Sequence, residues 1–570
     1  MKRAHRMPFG AAPSGAGRAA FRLWAPGARR VELLLAGNAV ATMQPAADGW
    51  CEFHADARPG TRYRYRIDGG QTVPDPASRF NPDGVHGESE LVDPHAYEWT
   101  DGAWSGRAWE EAVIYELHVG AFTPEGTYAG AERRLDDLAA LGVTAIEIMP
   151  VAAFPGTRNW GYDGVLPYAP ASVYGKPADL KHLVDAAHAR GLMVLLDVVY
   201  NHLGPEGNYL HVYAPDFFTA RHRTPWGAAI NFDGDSARPV RNFFIHNALY
   251  WLEEFHFDGL RLDAVHSIFD DSAMHILDEL AQAVRDGPGR ARRIHLVLEN
   301  DRNEAQRLAR APDGSPRHYN AQWNDDFHHA CHVAITGEIN GYYADYAAQP
   351  AAHLGRCLAE GYAYQGDPSP YRGYEARGQP SAHLPPAAFI SFLQNHDQVG
   401  NRACGERLTA LAPENVLRAA AAAWLLAPQI PMLFMGEEFG AATPFLFFCE
   451  FGPELAAAVS EGRRREFADF TASAIPDPNA AATFERSKLD WSCRTREPHA
   501  GWLAFYTGLL ELRRRKILPL LPALASAAAS YTVLGDRALT VTWKMLDKYL
   551  FLMLNMSGEE FAAEITPGLQ

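Results

Sequence analysis

Eight short runs that begin apolar and end polar recur between residues 113 and 438, with segments of helical spacing among them. The runs are VIYELHVGAF (113–122), AIEIMP (145–150), MVLLDVVYNH (193–202), GLRLDAV (259–265), IHLVLEN (294–300), AQWNDDF (321–327), FISFLQNHD (389–397) and IPMLFMGEE (430–438). Runs this apolar read as strands covered on both faces, as a parallel sheet requires. ERRLDDLAALG, ADLKHLVDAAHARG, VRNFFIHNALYWLEEF, HILDELAQAVRD and VLRAAAAAWLLAP place apolar residues three and four apart, the pattern of a helix with one buried stripe. Strand and helix in eightfold succession predict a closed (β/α)8 TIM barrel, interrupted by insertions at about 203–239 and 330–386.

The 570 residues leave room for more than the barrel. Upstream, FRLWAP, RVELLLAG and TRYRYRID alternate with Gly, Pro and Asp turns, the pattern of a small antiparallel β-sandwich. The Pro- and Gly-rich stretch 73–94 reads as an extended linker. Downstream, YTVLGDRALTVTWK and KYLFLMLNMS alternate like strands of a small terminal sheet. The expected division is a sandwich with linker over 1–105, the barrel over 106–521, and a small, incomplete-looking β domain over 522–570.

Several classes of function are disfavoured. A formal net charge of −16 with no long Lys/Arg run argues against a nucleic-acid partner, since phosphate binding needs a clustered positive field. The longest apolar run, AAAAAWLLA at 419–427, is too short to span a bilayer and ends at Pro428. The N-terminal segment has positive charge but no apolar core of signal-peptide length, so a cytoplasmic location is expected. Six scattered cysteines without C-x-x-C spacing indicate neither a zinc site nor a disulfide framework, and no metal or cofactor is expected.

Chemistry concentrates at the C-terminal ends of the strands, which converge on one mouth in such a barrel. Strands three, four, five and seven end in Asp197, Asn201 and His202; Arg261 and Asp263; Glu299; and His396 and Asp397. Arg261 and Asp263 are two apart on one strand, so both side chains point the same way. An isolated R-x-D is ordinarily a structural ion pair. Converging carboxylates with two imidazoles and an arginine demand counter-charge or a chemical use.

These regions, DVVYNH, GLRLDAVH, LEN and QNHD, resemble in order and placement the four characteristic regions of the retaining α-amylase family of glycoside hydrolases and transglycosylases. The resemblance implies Asp263 as nucleophile, Glu299 as general acid and base, and Asp397 as the third carboxylate, which binds sugar hydroxyls. It implies Tyr162, in NWGYDG, as a ring-stacking tyrosine, and His202 and His396 as donors to the sugar being cleaved. Arg261 would keep Asp263 ionised, with Asp197 holding Arg261 and Asn201 beside it. Trp160 is as readily a core residue as a sugar platform, and His118 is a candidate for the pocket wall. Position alone nominates Trp323, Asp325, Asp326, Phe327 and His328 on strand six, and Phe445 and Phe447 after strand eight.

Longer stretches, among them YELHVGAFTPEGTYAGA, WGYDGVLPYAP, LDVVYNHLGPEGNYL and QWNDDFHH, are similar to the trehalose-releasing branch of that family. This implies an oligosaccharide substrate, maltooligosyltrehalose, cleaved at the α-1,4 bond next to its terminal trehalose unit. It also implies metabolic coupling to a maltooligosyltrehalose synthase, with neither nucleic acid nor membrane as partner. A glucan-branching transglycosylase and an inactive glucan-binding relative are the alternatives.

Overall fold

A computed structural model describes residues 1–36, 38–467, 475–524, 528–545 and 548–562. Eight parallel strands close a barrel: Ile114–Leu117, Ala145–Ile148, Met193–Val198, Gly259–Leu262, His295–Leu298, Ala321–Trp323, Phe389–Ser391 and Ile430–Phe434. Each lies in one of the eight runs read from the sequence and covers its mainly apolar part, with Glu116, Glu147, Asp197 and Arg261 inside the strands. The polar tails leave the strand and become turns or the first residues of helices.

The lower barrel interior is filled by side chains. Ile114, Ala145, Met193, Leu195, Val297, Ala321, Trp323, Ile390, Ile430 and Met432 form one buried cluster with Trp109 and Phe392. Burying such side chains stabilises the fold by roughly 1.5–3 kcal/mol each for the larger ones. Polar groups begin above this plug. Register sets which of them meet: Asp197 pairs with Arg261 across strands three and four, and Glu116 with Glu147 across strands one and two.

The N-terminal strands form two antiparallel sheets. RYRYRI (Arg62–Ile67) shows the period of two, with Tyr63, Tyr65 and Ile67 buried and the intervening arginines less so. The stretch 73–94 is not a loose linker. Asp75, Ser78, Arg79, Asn81 and Ser89 in it are buried, and Arg79 pairs at 3.1 Å with Glu254 on helix Ala237–Glu254 of the barrel layer. Polar residues in a Pro-rich stretch mimic a linker in sequence, yet here Asp75 bonds Tyr63 and Ser89 within the N-terminal part, and Arg79 pairs that part to the barrel.

Three antiparallel strands, Ala528–Gly535, Ala538–Lys544 and Tyr549–Asn555, form the terminal sheet. Residues 525–527, 546–547 and 563–570 of that expected domain lie outside the described residues. Among the described residues, no helix is long and apolar enough to cross a membrane.

Candidate active site

Arg261 is fully buried at the centre of the barrel mouth, and its Nη1 donates to Asp197 Oδ2 and to Asp263 Oδ1, both at 2.8 Å. Its Nη2 lies 3.9 Å from Glu299 Oε2. The guanidinium rests on the indole of Trp323, 4.1 Å from the ring centroid, which fixes its plane. One cation thus stands among three carboxylates. Its burial would be costly without them.

The backbone beyond strand four positions Asp263. Ala264 adopts left-handed angles (φ 40, ψ 48), uncommon for a residue with a Cβ. Its N–H donates to Glu299 Oε2 at 2.5 Å, so the turn after Asp263 is tied to the carboxyl on the next strand. Burial, reinforced by the charges of Asp263, Asp325 and Asp397 against that of Arg261, pushes the Glu299 carboxyl well above its ordinary range. Asp197 is raised to about 7, mainly by burial and against Arg261, and Asp325 also to about 7 by burial. The arrangement combines an arginine-paired carboxylate, Asp263, with a carboxyl that holds its proton, Glu299. Such an asymmetry is what a nucleophile and an acid working side by side require.

His396 and Tyr162 extend the network. Tyr162 Oη donates to Asp197 Oδ2 at 2.7 Å and lies 2.8 Å from His396 Nε2, and the two rings stack with centroids 5.1 Å apart. Burial alone would lower the His396 imidazole, but Asp397 and Glu116 outweigh it and bring it up to about 9. Glu116 grips it with Oε1 2.5 Å from Nδ1, while Asp397 Oδ1 is 3.4 Å from Nε2. His202, held below its usual value mainly by burial, meets Asn201 Oδ1 at 3.1 Å and the Tyr162 carbonyl at 3.0 Å. Asp263, Glu299, Asp325 and Asp397 remain half-buried, open to an incoming molecule.

Other nominated residues lie elsewhere. His118 is not in the pocket wall: it is buried as the cap of helix Val119–Phe122, accepting from the Ala121 N–H, with Nε2 on the Asn159 carbonyl. Trp160 is core, stacked on buried Phe445 and donating to the Leu446 carbonyl at 2.9 Å. Strand six ends at Trp323, and Asp325–Thr336 is a helix, so Asp325, Asp326, Phe327 and His328 are not strand residues. Asp326 is wholly buried beneath Arg377, Asn303 and the N–H groups of Ala363 and Tyr364. Phe327 is core, and His328 bonds the Leu393 carbonyl and Tyr343 hydroxyl. Trp323 supports Arg261 from below and has no open face for a sugar. Phe447 is half-buried at the edge of the Trp160 ring.

Against known proteins, residues 78–223 match the family of the alpha amylase catalytic domain, and residues 8–96 match carbohydrate-binding module 48, the isoamylase N-terminal domain. The malto-oligosyltrehalose trehalohydrolase of Saccharolobus solfataricus is 41% identical over 554 residues, 96% of this chain and 95% of that one. That of Deinococcus radiodurans is 46% identical over 88% of this chain and 82% of its own. The chain belongs to the malto-oligosyltrehalose trehalohydrolase family. A crystal structure of a Salmonella typhimurium protein named after the alpha amylases superposes with a TM-score of 0.95 at 49% identity, covering 99% of this chain and 95% of that one. A Paenibacillus barengoltzii pullulanase, at 19% identity and TM-score 0.72, shares the fold.

Two residues of this trehalohydrolase-family site escaped the sequence reading. Glu116 sits in the apolar run VIYEL, and an acid inside a strand buried on both faces was the available signal. Trp226, at the tip of the hairpin formed by Phe218–Thr224 and Gly227–Ile230, lies flat on the His202 ring, centroids 4.5 Å apart, and is half exposed. Only long-range folding brings that loop over the mouth. As a metal site, the described residues offer His222, Asp233 and Asp271, with ligand atoms within 4.8 Å of one another. Arg221 stands 3.3 Å from Asp233 and 3.6 Å from Asp271, supplying the positive charge there itself.

The raised Glu299 carboxyl predicts an alkaline limb in the pH profile of kcat/KM in this trehalohydrolase relative. Activity falls on the alkaline side as Glu299 loses the proton that burial holds there. Stability follows a related sign. His396 binds its proton more tightly folded than unfolded, so its contribution is whole below its ordinary 6.5 and is lost as pH rises through about 9. Initial rates at several pH values test the first statement, and a rate that climbs without an alkaline limb contradicts it.

Proposed function

We propose that the chain hydrolyses the α-1,4 bond joining a malto-oligosaccharide to the terminal trehalose unit of maltooligosyltrehalose, by double displacement. The observation that carries the mechanism is the division of labour around Arg261, which pairs with Asp263 while Glu299 keeps its proton. An Asp263 oxygen attacks the anomeric carbon, the bond to the trehalose oxygen breaks, and the Glu299 proton goes to that oxygen. Trehalose leaves. Glu299, now a carboxylate, takes a proton from water as the water oxygen displaces Asp263, which restores both groups and frees the shortened oligosaccharide.

In this reading Asp397 and the protonated His396 hold hydroxyls of the reacting sugar, and charge developing on its ring is met by Asp263 and Asp397. Arg261, Asp197, Tyr162 and Asn201 act through these groups by holding them in place. Half-exposed Trp226, on His202, offers a flat face to a neighbouring glucose ring. No metal or cofactor enters the scheme. A synthase that makes maltooligosyltrehalose would supply the substrate, and the reduced cysteines suit a cytoplasmic setting. The division at 1–105, 106–521 and 522–570 belongs to the same proposal.

Substrate identity separates this reading from its nearest competitor. Proton NMR of a maltooligosyltrehalose digest should show trehalose and a malto-oligosaccharide whose new reducing end is first α. Plain malto-oligosaccharides of equal length should react with at least tenfold lower kcat/KM, because contacts to the 1,1-linked glucose are lost; tenfold corresponds to about 1.4 kcal/mol. New α-1,6 signals from amylose would favour a branching transferase, and equal rates on both substrates would reduce the activity to a general α-glucanase.

A further inference from the structure

Three acids stand in one layer of the barrel interior, just above the apolar plug. Ile114, Ala145 and Leu195 belong to that plug, and a strand period of two puts Glu116, Glu147 and Asp197 one step higher on the same face. All three are buried, and a buried carboxyl needs either a cation or a proton. Asp197 has Arg261, at the same register on strand four. Glu147 has neither donor nor cation in contact: both its oxygens are enclosed without a partner, and burial together with Glu116 pushes its carboxyl well above the ordinary range, so it is uncharged. Glu116 is left, and among the described residues no Lys or Arg pairs with it. Its partner is His396.

Glu116 holds that residue twice. Oε2 accepts the His396 backbone N–H at 3.0 Å, one of the N–H groups that the first turn of helix His396–Gly400 leaves without a partner, and Oε1 is 2.5 Å from Nδ1 of the ring. The state of the other ring nitrogen follows from counting protons. Tyr162 has a single O–H and gives it at 2.7 Å to Asp197 Oδ2, which also accepts from Arg261, so toward His396 Nε2, 2.8 Å away, the tyrosine oxygen can only accept. Nε2 therefore carries a proton, and with Nδ1 donating to Glu116 the ring is an imidazolium. On its far side stands Asp397, Oδ1 3.4 Å from Nε2 and with 42% of its side chain exposed at the mouth.

We propose that Glu116 is a positioning residue for the reaction: from strand one it fixes His396 as an imidazolium, and through that charge it holds Asp397 in the place and state the reaction needs. This rests on the reading in which Asp397 binds sugar hydroxyls and meets charge developing on the ring. Burial alone would take the proton off His396, and Asp397 and Glu116 together outweigh it to bring the ring to about 9. No other group facing the ring replaces them. Arg261 opposes its charge, Glu147 is uncharged, His118 is held at about 4 by burial and is neutral, and Trp160 and Trp323 contribute rings without charge. With Glu116 neutralised, Asp397 alone would stand against burial, and His396 would lose its proton at lower pH.

Nitrogen-15 NMR of the full chain labelled in its histidine rings reads that proton directly, the His396 signals being those absent from His396→Gln. In the unmodified chain both ring nitrogens should be protonated at pH ~7. Glu116→Gln keeps the volume and an acceptor for the backbone N–H but not the charge, so the His396 midpoint should move down by about 1–3 pH units, and Glu116→Asp, which keeps the charge, should return most of it. Turnover gives an independent reading. Below the lowered midpoint His396 is protonated in both proteins and kcat should be nearly equal; above it Glu116→Gln should fall about tenfold or more behind, with KM changing less, because the charge that Asp397 meets exists only in the transition state. The alkaline limb of Glu299 is common to both proteins and cancels in the ratio, and a packing defect would lower the ratio equally at every pH. Glu147→Gln, uncharged before and after, should leave midpoint and ratio alone. The NMR result needs no substrate, so it judges Glu116 separately from the scheme it serves, which full turnover by Asp263→Asn would reject. A neutral His396 at pH ~7 in the unmodified chain, a midpoint that Glu116→Gln does not move or that Glu147→Gln moves as far, or a rate ratio flat with pH would overturn the proposal. Should Glu116→Gln not fold by circular dichroism, the state of His396 in the unmodified chain still decides.

Discussion

Asp263→Asn lowers kcat by roughly a thousandfold or more and leaves the fold in place, since it removes an attacking oxygen anion and nearly no volume. A thousandfold is about 4 kcal/mol of transition-state stabilisation, beyond what loss of a single hydrogen bond explains. Arg261 keeps Asp197 as partner in this variant, so no uncompensated charge is buried. Glu299→Gln produces a comparable loss for another reason: the amide has no proton acidic enough to give to the departing trehalose oxygen. Steady-state kinetics with circular dichroism decide the matter. Retention of a tenth of the normal turnover by either variant would remove that residue from its assigned role.

Arg261→Met gives the second large effect, on stability as well as rate. The side chain fits the space over Trp323 but leaves buried Asp197 and half-buried Asp263 without their shared cation, and breaking a buried charge pair costs about 3–5 kcal/mol. A limit comes from Asp197, already raised to about 7 with Arg261 present, which escapes much of the penalty by taking a proton. A carboxyl with a raised folded-state pKa stabilises the fold at low pH and loses that contribution as pH rises. The defect is therefore smaller near pH ~5 than near pH ~8. Thermal midpoints at the two pH values, with turnover at least a hundredfold down, give the expected pattern. A midpoint that drops equally at both would show that lost packing, not charge, is the cause.

The barrel was legible because its evidence is local and repeated. A strand buried on both faces must be apolar along its length, and a covering helix must show a stripe, so eight units announce themselves without any knowledge of their neighbours. Arg261 and Asp263 were legible as a pair because a period of two puts them on one face whatever else the chain does. The end of strand six, beyond Trp323, was misread for the opposite reason. AQWNDDF is short and mixed, and Asn324, whose side chain accepts from the Phe327 N–H, starts a helix where alternation suggested more strand. Side chains counted on for the pocket, Asp326 and His328 among them, consequently turn into the protein.

What the sequence determined by itself was therefore the sheet, the end of the barrel where polar groups gather, and the carboxylates and arginine on its strand tails. Only the tertiary structure decided which aromatic rings stay open, since Trp160 and Trp226 are equally apolar as residues and one is sealed by Phe445 while the other lies exposed on His202. It alone decided that Glu116 would grip His396, 280 positions away. The physical reason is common to both: periodicity is a property of neighbouring residues, whereas exposure and charge pairing depend on groups brought together from distant parts of the chain.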